Sequence, residues 1–350
     1  GDKRMSGDGR AWASALLAAL AAALLAVPAR ASFDDLGAGA RAPGMGDAFT
    51  ALADDAYAIY YNPAGLALLG KPELAASRTQ HLAGLSDGSG LGTSFLGYAQ
   101  PLGEGEGALG AAVQSFSMDG GYYGERSYYL SYGRPAPRGL GLDGLYWGLS
   151  LKDLSRSFGD LPEAANAYNG MNATGLADPV LSGNSGVSAF DADLGLLYRM
   201  RENYSAGLQL MHVPQPNVAF ASGATDRVPM RAKFGVNYRS LLSNVAAQYD
   251  TAQSPIGTRD HRLTVALERW FPWLLVGDVG VRTSLSVGSR SFRQATAGLS
   301  YRAGRISVDY GFTMPINTIT STSGSHRLSF SIRFGPAKEE DESVQLVLEV

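Results

Sequence analysis

Cysteine is absent from all 350 residues, which excludes a disulfide framework, a thiolate nucleophile and a thiolate metal site. Long apolar runs are missing beyond the first 31 residues; a helical span needs roughly 20 consecutive apolar residues, so a polytopic helical transporter is excluded. Neither sign of charge predominates. The 29 basic and 32 acidic residues leave a net charge of −3, without the basic footprint of a nucleic-acid-binding protein. Imidazole is scarce as well: His81, His212, His261 and His326 are the four histidines, and none stands in a catalytic motif or at metal-ligand spacing. The glycines between Gly37 and Gly46 match neither nucleotide fingerprint, because their spacing is wrong and no strand precedes them. The expectation is a protein without catalytic residues, cofactor, metal or nucleic-acid partner.

What is present begins with an export signal. Lys3, Arg4 and Arg10 precede an apolar run from Ala15 to Val27, then Pro28 and the small-residue site Ala29-Arg30-Ala31. This order predicts a Sec-type signal peptide over 1–31 with cleavage near Ala31/Ser32. An exported chain without disulfides has to be held by its backbone ladder.

Such a ladder is written from Lys71 onward. Apolar and polar residues alternate with period two about fourteen times before Gly335. Leu328, Phe330, Ile332 and Phe334 interleave with Arg327, Ser329, Ser331 and Arg333. Alternation fits a soluble sandwich or a membrane barrel, and the spacing between strands separates them. Connections at 155–187, 214–228, 252–260 and 314–324 are long, whereas those at 201–203, 240–242, 271–272 and 303–304 are tight; 102–107 and 134–143 are longer than the rule prefers. Long loops on one side and short turns on the other are the mark of an up-and-down outer-membrane barrel. The expected fold is therefore all-β: a transmembrane antiparallel barrel of about 14 strands over 71–335, in contact with outer-membrane lipid. Tyr198, Tyr238, Trp270, Trp273 and Tyr301 fall beside the short turns, as a periplasmic aromatic girdle would. Asp191, Asp193, Arg199, Arg231, Lys233, Asn237 and Asp309 lie on the opposite, inward parity, which makes the lumen charged and of mixed sign.

Residues 32–70 do not alternate. Asp47 is placed to cap a short helix through Ala48–Ala53, and Asn62 to cap a second that has Pro63 at its first position. Two short helices joined to the first strand predict a small N-terminal hatch that folds back into the barrel. The 155–187 loop carries Phe158, Leu161, Met171 and Leu176, and the 214–228 loop carries Phe220; these are the candidate ligand-lining residues of the outer face. Beyond Gly335, the run Glu339–Glu342 and the alternating Val344, Leu346, Leu348 and Val350 mark 336–350 as a periplasmic tail.

Three segments bear a family resemblance: Gly37-Ala38-Gly39-Ala40-Arg41-Ala42-Pro43-Gly44-Met45-Gly46; Ala48-Phe49-Thr50-Ala51 with Ala53-Asp54-Asp55; and Tyr60-Tyr61-Asn62-Pro63-Ala64-Gly65-Leu66. They resemble the N-terminal signature of the PorV/PorQ branch of FadL-like outer-membrane proteins. Val308-Asp309-Tyr310-Gly311-Phe312 and His326-Arg327-Leu328-Ser329-Phe330 resemble that branch's last two strands. The resemblance implies a fourteen-stranded barrel with a luminal hatch in which Asn62, Pro63, Ala64, Gly65, Gly44, Gly46, Asp54 and Asp55 form the hatch motif. It also implies two activities. One is passage of a hydrophobic small molecule with release through a gap in the wall. The other is reception of secreted proteins bearing a C-terminal sorting domain, as in type IX secretion. The alternative is a non-transporting structural barrel or adhesin that displays long surface loops.

Overall fold

Alternation becomes strand wherever it was expected. In the computed structural model, which describes residues 33–85, 90–118, 121–137, 143–159, 165–169, 172–178, 186–201, 203–221, 223–253, 258–273, 277–316 and 322–335, the strands are β1 (Glu73–Gln80), β2 (Gly92–Gly103), β3 (Gly107–Ser117), β4 (Tyr123–Pro135), β5 (Leu145–Phe158), β6 (Tyr168–Asn169), β7 (Asn172–Ala173), β8 (Gly186–Met200), β9 (Tyr204–Met211), β10 (Arg231–Arg239), β11 (Ser243–Gln253), β12 (Arg259–Trp273), β13 (Gly277–Gly288), β14 (Arg293–Ala303), β15 (Ile306–Pro315) and β16 (Ser325–Arg333). β6 and β7 form a separate hairpin within the long connection after β5. The other fourteen close into one antiparallel barrel in which each strand pairs with its neighbours in sequence and β1 pairs with β16. Closure leaves no edge to hydrogen-bond in lipid. Arg333 Nε donates to Glu73 Oε2 at 3.2 Å across the closing seam.

Inward and outward faces follow the parity of the sequence. On β8, Phe190, Leu194, Leu196 and Tyr198 are exposed while Asp191 and Asp193 are buried. Leu, Val, Phe and Tyr side chains are exposed around the barrel as a continuous lipid-facing belt, an apolar surface of the kind a bilayer covers. Short turns gather at one end, such as 201–203, 240–242 and 304–305, and the long connections at the other; these ends are periplasmic and outer, respectively.

Several boundaries differ from expectation. β5 continues to Phe158, paired with Tyr123 of β4, so the long loop starts later than residue 155. The β2–β3 connection is a tight turn at 104–106. Phe271 and Pro272 lie within β12, paired with Val279 and Asp278; a proline one rung from the end of a strand gives up little of the ladder. Trp270 leaves the girdle, since it faces the lumen between the guanidinium groups of Arg282 and Arg302, whose Cζ atoms lie 5.4 and 4.2 Å from its ring centroid. Tyr198, Tyr238, Trp273 and Tyr301 are exposed as a girdle requires.

The N-terminal segment occupies the barrel. Phe33 lies at the outer end, where its N–H donates to Glu125 at the start of β4. Asp54 lies at the periplasmic end beside Arg239. The helix expected over 48–53 does not form. Asp47 instead takes a left-handed φ of 65°, and its carboxylate accepts the Tyr61 hydroxyl at 2.8 Å, so it cannot cap the following turn. Helix forms at α1 (Arg41–Gly44), α2 (Ala58–Tyr61) and a 3-10 turn, Pro63–Leu68.

Candidate functional site

An irregular segment inside a barrel has to satisfy its backbone with something other than a ladder. Inward side chains of the wall do this. Gln248 Oε1 accepts the N–H groups of Phe49 and Thr50 at 3.1 and 3.0 Å, Ser329 Oγ accepts that of Ala40 at 3.1 Å, and Thr296, Ser205 and Gln209 donate to the carbonyls of Gly44, Ala51 and Tyr60 at 2.7–2.8 Å. Polar parity along the strands is thus a set of docking groups for the inserted chain as much as a wetted lumen. Its apolar half, including Met45, Phe49, Leu52, Ile59, Tyr61 and Leu66, forms the main core against small inward residues such as Ala75, Ala99 and Ala108.

Asn62 does what its sequence position predicts and more. Its side chain accepts from Ala64 N at 3.2 Å, with Pro63 following at the first turn. It also donates to Thr50 O at 2.8 Å and, across to the wall, to Leu196 O at 3.0 Å. Pro63 and Ala64 lie against two wall glycines, Gly148 and Gly195, where a Cβ would collide with the Pro63 and Asn62 backbone or side chain. Gly65 packs on Ala53, Gly44 on the backbone of Gly298, and Gly46 has φ 61° against Ser284. Close backbone contact therefore accounts for these glycines. All eight expected motif residues belong to the one inserted segment.

Asp54 and Asp55 anchor its charge. Arg41 meets Asp54 at 2.6 Å, Asp55 at 3.1 Å and Glu268 of β12 at 2.9 Å; Arg239 also holds Asp54 at 2.7 Å, and Arg282 holds Glu268 at 2.7 Å. Asp55 has the longest of the three contacts to Arg41 and no second cation within ion-pair distance among the described residues. Burial, against the attraction of Arg41 and with the repulsion of Glu73 and Asp54, pushes its carboxyl up to about 7. Asp35, at the outer end, is the opposite case. Burial disfavours its charge, but Lys233, Arg231 and Arg262 outweigh that and hold it well below the usual carboxylate range.

Above the segment the barrel opens into a vestibule lined by charged and apolar side chains together. One cavity of about 390 Å³ is lined by Asp34, Asp35, Arg231, Asp250, Arg262 and Arg290 among others. A second, of about 340 Å³, shares Phe33, Asp34, Asp35 and Arg262 with it. Phe33 seats its ring in an apolar cluster with Leu154, Val218 and Val228. The loop residues expected to line a ligand site do not meet in this vestibule. Phe158 and Phe220 meet at 4.8 Å between centroids with their rings tilted at 45°, and Arg156 lies over Phe220 at 4.5 Å. Leu176 is exposed at a distance from both cavities; Leu161 and Met171 lie outside the described residues, as do the signal peptide and the 336–350 tail. Neighbouring strands pair in continuous register except for one shift between Pro101 and Gly103, but among the described residues 186–193 of β8 have no strand partner on the β9 side, where the ladder begins at Leu194.

Sequence reasoning missed a buried cluster. Lys152 Nζ lies 2.7 Å from Asp191 and 2.6 Å from Asp193, while His212 Nδ1 contacts Asp191 at 2.6 Å. Ligand atoms of Asp191, Asp193 and His212 lie within 4.8 Å of one another, and the lysine ammonium sits where a cation would. Residues 152 and 212 are 60 apart in sequence. The one available signal was that Lys152 falls on the inward parity of a strand that runs beside Asp191 and Asp193.

Comparison with known proteins places this geometry. Among solved structures, the chain is similar to the Pseudomonas putida toluene transporter TodX (TM-score 0.60, 13% identity, 87% of this chain and 100% of that one). It is also similar to the CymD monoaromatic hydrocarbon channel (0.58, 15%, 88% and 100%) and to a Pseudomonas aeruginosa FadL homologue (0.56, 11%, 87% and 100%). At such identities the likeness is one of fold, and the fold is that of a FadL-like outer-membrane barrel. No curated protein sequence matches. Residues 56–332 match the family model described as type IX secretion system membrane protein PorP/SprF, and the chain belongs to that family.

Proposed function

We propose that this barrel is a secretion component that receives an exported protein at its outer mouth, with the N-terminal segment acting as a fixed hatch. The observation that carries this reading is a charged vestibule above a lumen filled by residues 33–69. The charges at this mouth are paired, Asp34 with Arg231, Asp250 with Arg262 and Asp260 with Arg290, and a protein surface can offer these ion pairs the polar partners that water does. A hydrocarbon, such as the TodX and CymD titles name, would have to desolvate them without recompense. In this reading 1–31 is a signal peptide removed on export, 32–70 the hatch, 71–335 the barrel and 336–350 a periplasmic tail. The resemblance of the hatch motif to the PorV/PorQ branch then reflects a similar way of packing the hatch, and the cargo class is the proteins with a C-terminal sorting domain.

A strain lacking the chain, complemented with wild type or with Asp260→Lys plus Arg290→Glu at the vestibule rim, tests this. A reporter fused to a C-terminal sorting domain is expected outside the cell with wild type and retained in the periplasm with the variant. Normal export together with lost uptake of a monoaromatic hydrocarbon would turn the reading into the channel one. If neither changed, a structural barrel would be the better description.

A further inference from the structure

The lipid-facing belt is not of even height. On β15 the outward residues Ile306, Val308, Tyr310, Phe312 and Met314 are all apolar, and on β13 Val279, Val281, Leu285 and Val287 flank a single Thr283. Five outward positions, two residues apart on strands tilted about 40°, cover roughly 25 Å, the height of a normal apolar band. On β3, by contrast, the outward apolar series is Leu109, Ala111 and Val113, and on β4 it is Tyr132, Leu130 and Tyr128. Three positions cover only roughly 15 Å. Above them runs a row of directly opposite residues on five neighbouring strands: Arg78 to Ser94, Ser94 to Ser115, Ser115 to Arg126 and Arg126 to Ser155. All five stand on the outward parity. Asp153, one outward position below Ser155, is exposed there too.

Charge in this place is costly unless it is met. An arginine on the lipid face of a barrel costs about 2–4 kcal/mol at mid-depth, falling toward zero at the interface. Arg78 donates to Ser94 Oγ at 2.8 Å; Arg126 and Asp153 have no hydrogen bond or ion pair among the described residues. The backbone cannot be the contact, because at the level of this row each strand is already paired with its neighbours.

We propose that the outer half of the β1–β5 wall is an interface for a second, different outer-membrane protein that seats side-on and presents hydrogen-bond acceptors and carboxylates to Arg78 and Arg126. Both signs of charge occur within the patch, together with hydroxyls spaced by the strand separation. A lipid phosphate would satisfy the two arginines but not Asp153. A second copy of this chain, placed by a two-fold axis, would set a patch with two arginines and one aspartate against its like. This inference concerns the outside of the wall and stands apart from the role given to the vestibule.

The absence of native cysteine makes the test clean. Single variants Ser94→Cys and Ser115→Cys in the row, and Leu285→Cys on the far wall, are treated with a charged, water-soluble maleimide and with a lipid-partitioning one. Each is tested in native outer membranes and again as purified protein in nanodiscs. The row positions are expected to react in nanodiscs and to lose reaction with both reagents in native membranes, while Leu285→Cys reacts with the lipid-partitioning reagent in both. Adding Arg78→Gln and Arg126→Gln is expected to restore reaction in native membranes. Equal reaction of the row in the two settings would overturn the proposal in favour of lipid or water at this face, and a disulfide-linked dimer of Ser115→Cys would overturn it in favour of a second copy. Shielding that survives loss of both arginines would overturn their part in recognition.

Discussion

Arg41 and Glu268 meet fork to fork, Nε to Oε1 and Nη2 to Oε2, both at 2.9 Å. One side chain belongs to the inserted segment and the other to β12, 227 residues later. A bidentate charge-assisted pair of this kind fixes orientation as well as position, so it registers the inserted segment against the wall.

Removing the guanidinium should therefore loosen the hatch. Arg41→Met is expected to destabilise the barrel by about 3 kcal/mol, toward the low end for a broken buried pair, because Arg282 still holds Glu268 at 2.7 Å. Arg41→Lys should rescue little, since an ammonium cannot form the fork. The urea midpoint of unfolding in detergent checks both.

Asp55 gives the hatch a pH dependence of defined sign. Its carboxyl is pushed up to about 7 from an ordinary value of 3.8, so the folded state binds this proton more tightly than the unfolded one. Stability from this residue is present below about pH 4 and lost as pH rises through 7. Asp55→Asn should flatten the melting temperature between pH 4 and 7 and raise it at pH 8. An unchanged slope would refute the assignment.

The cap and turn at Asn62-Pro63 hold the hatch against Gly148 and Gly195. Asn62→Ala with Pro63→Ala removes a cap worth about 1 kcal/mol along with the two bonds to Thr50 and Leu196, and should raise small-solute flux in a liposome-swelling assay. Gly148→Val should do the same from the wall side. Unchanged swelling rates in both would mean that the hatch does not seal.

Lys152 bridges Asp191 and Asp193 inside the wall. Lys152→Met leaves two buried carboxylates facing each other and should cost about 3–5 kcal/mol. Adding Asp193→Asn should recover part of that loss, a pattern that double-mutant unfolding curves would reveal.

Strand number and the sides of the barrel were legible because period-two parity and loop length are local properties of the chain. Asn62-Pro63 was legible for the same reason, since a cap depends on neighbours two residues away. Asp47 misled because its carboxylate is taken by Tyr61, fourteen residues on. Trp270 misled because parity, not nearness to a turn, decides whether a ring faces lipid or Arg302. The loop aromatics were chosen by composition, and Phe158 and Phe220 satisfied each other instead of lining a site.

By itself the sequence determined a closed wall with an apolar outside, since alternation leaves a strand only one way to sort its faces between lipid and lumen. Tertiary structure decided what the inward face is for. Which polar side chain meets which backbone group of the inserted segment depends on residues up to 291 positions apart. Only closure of the barrel around that segment brings Arg41 to Glu268, while pairing of adjacent strands sets Lys152 beside Asp191 and aligns Arg78 with Arg126.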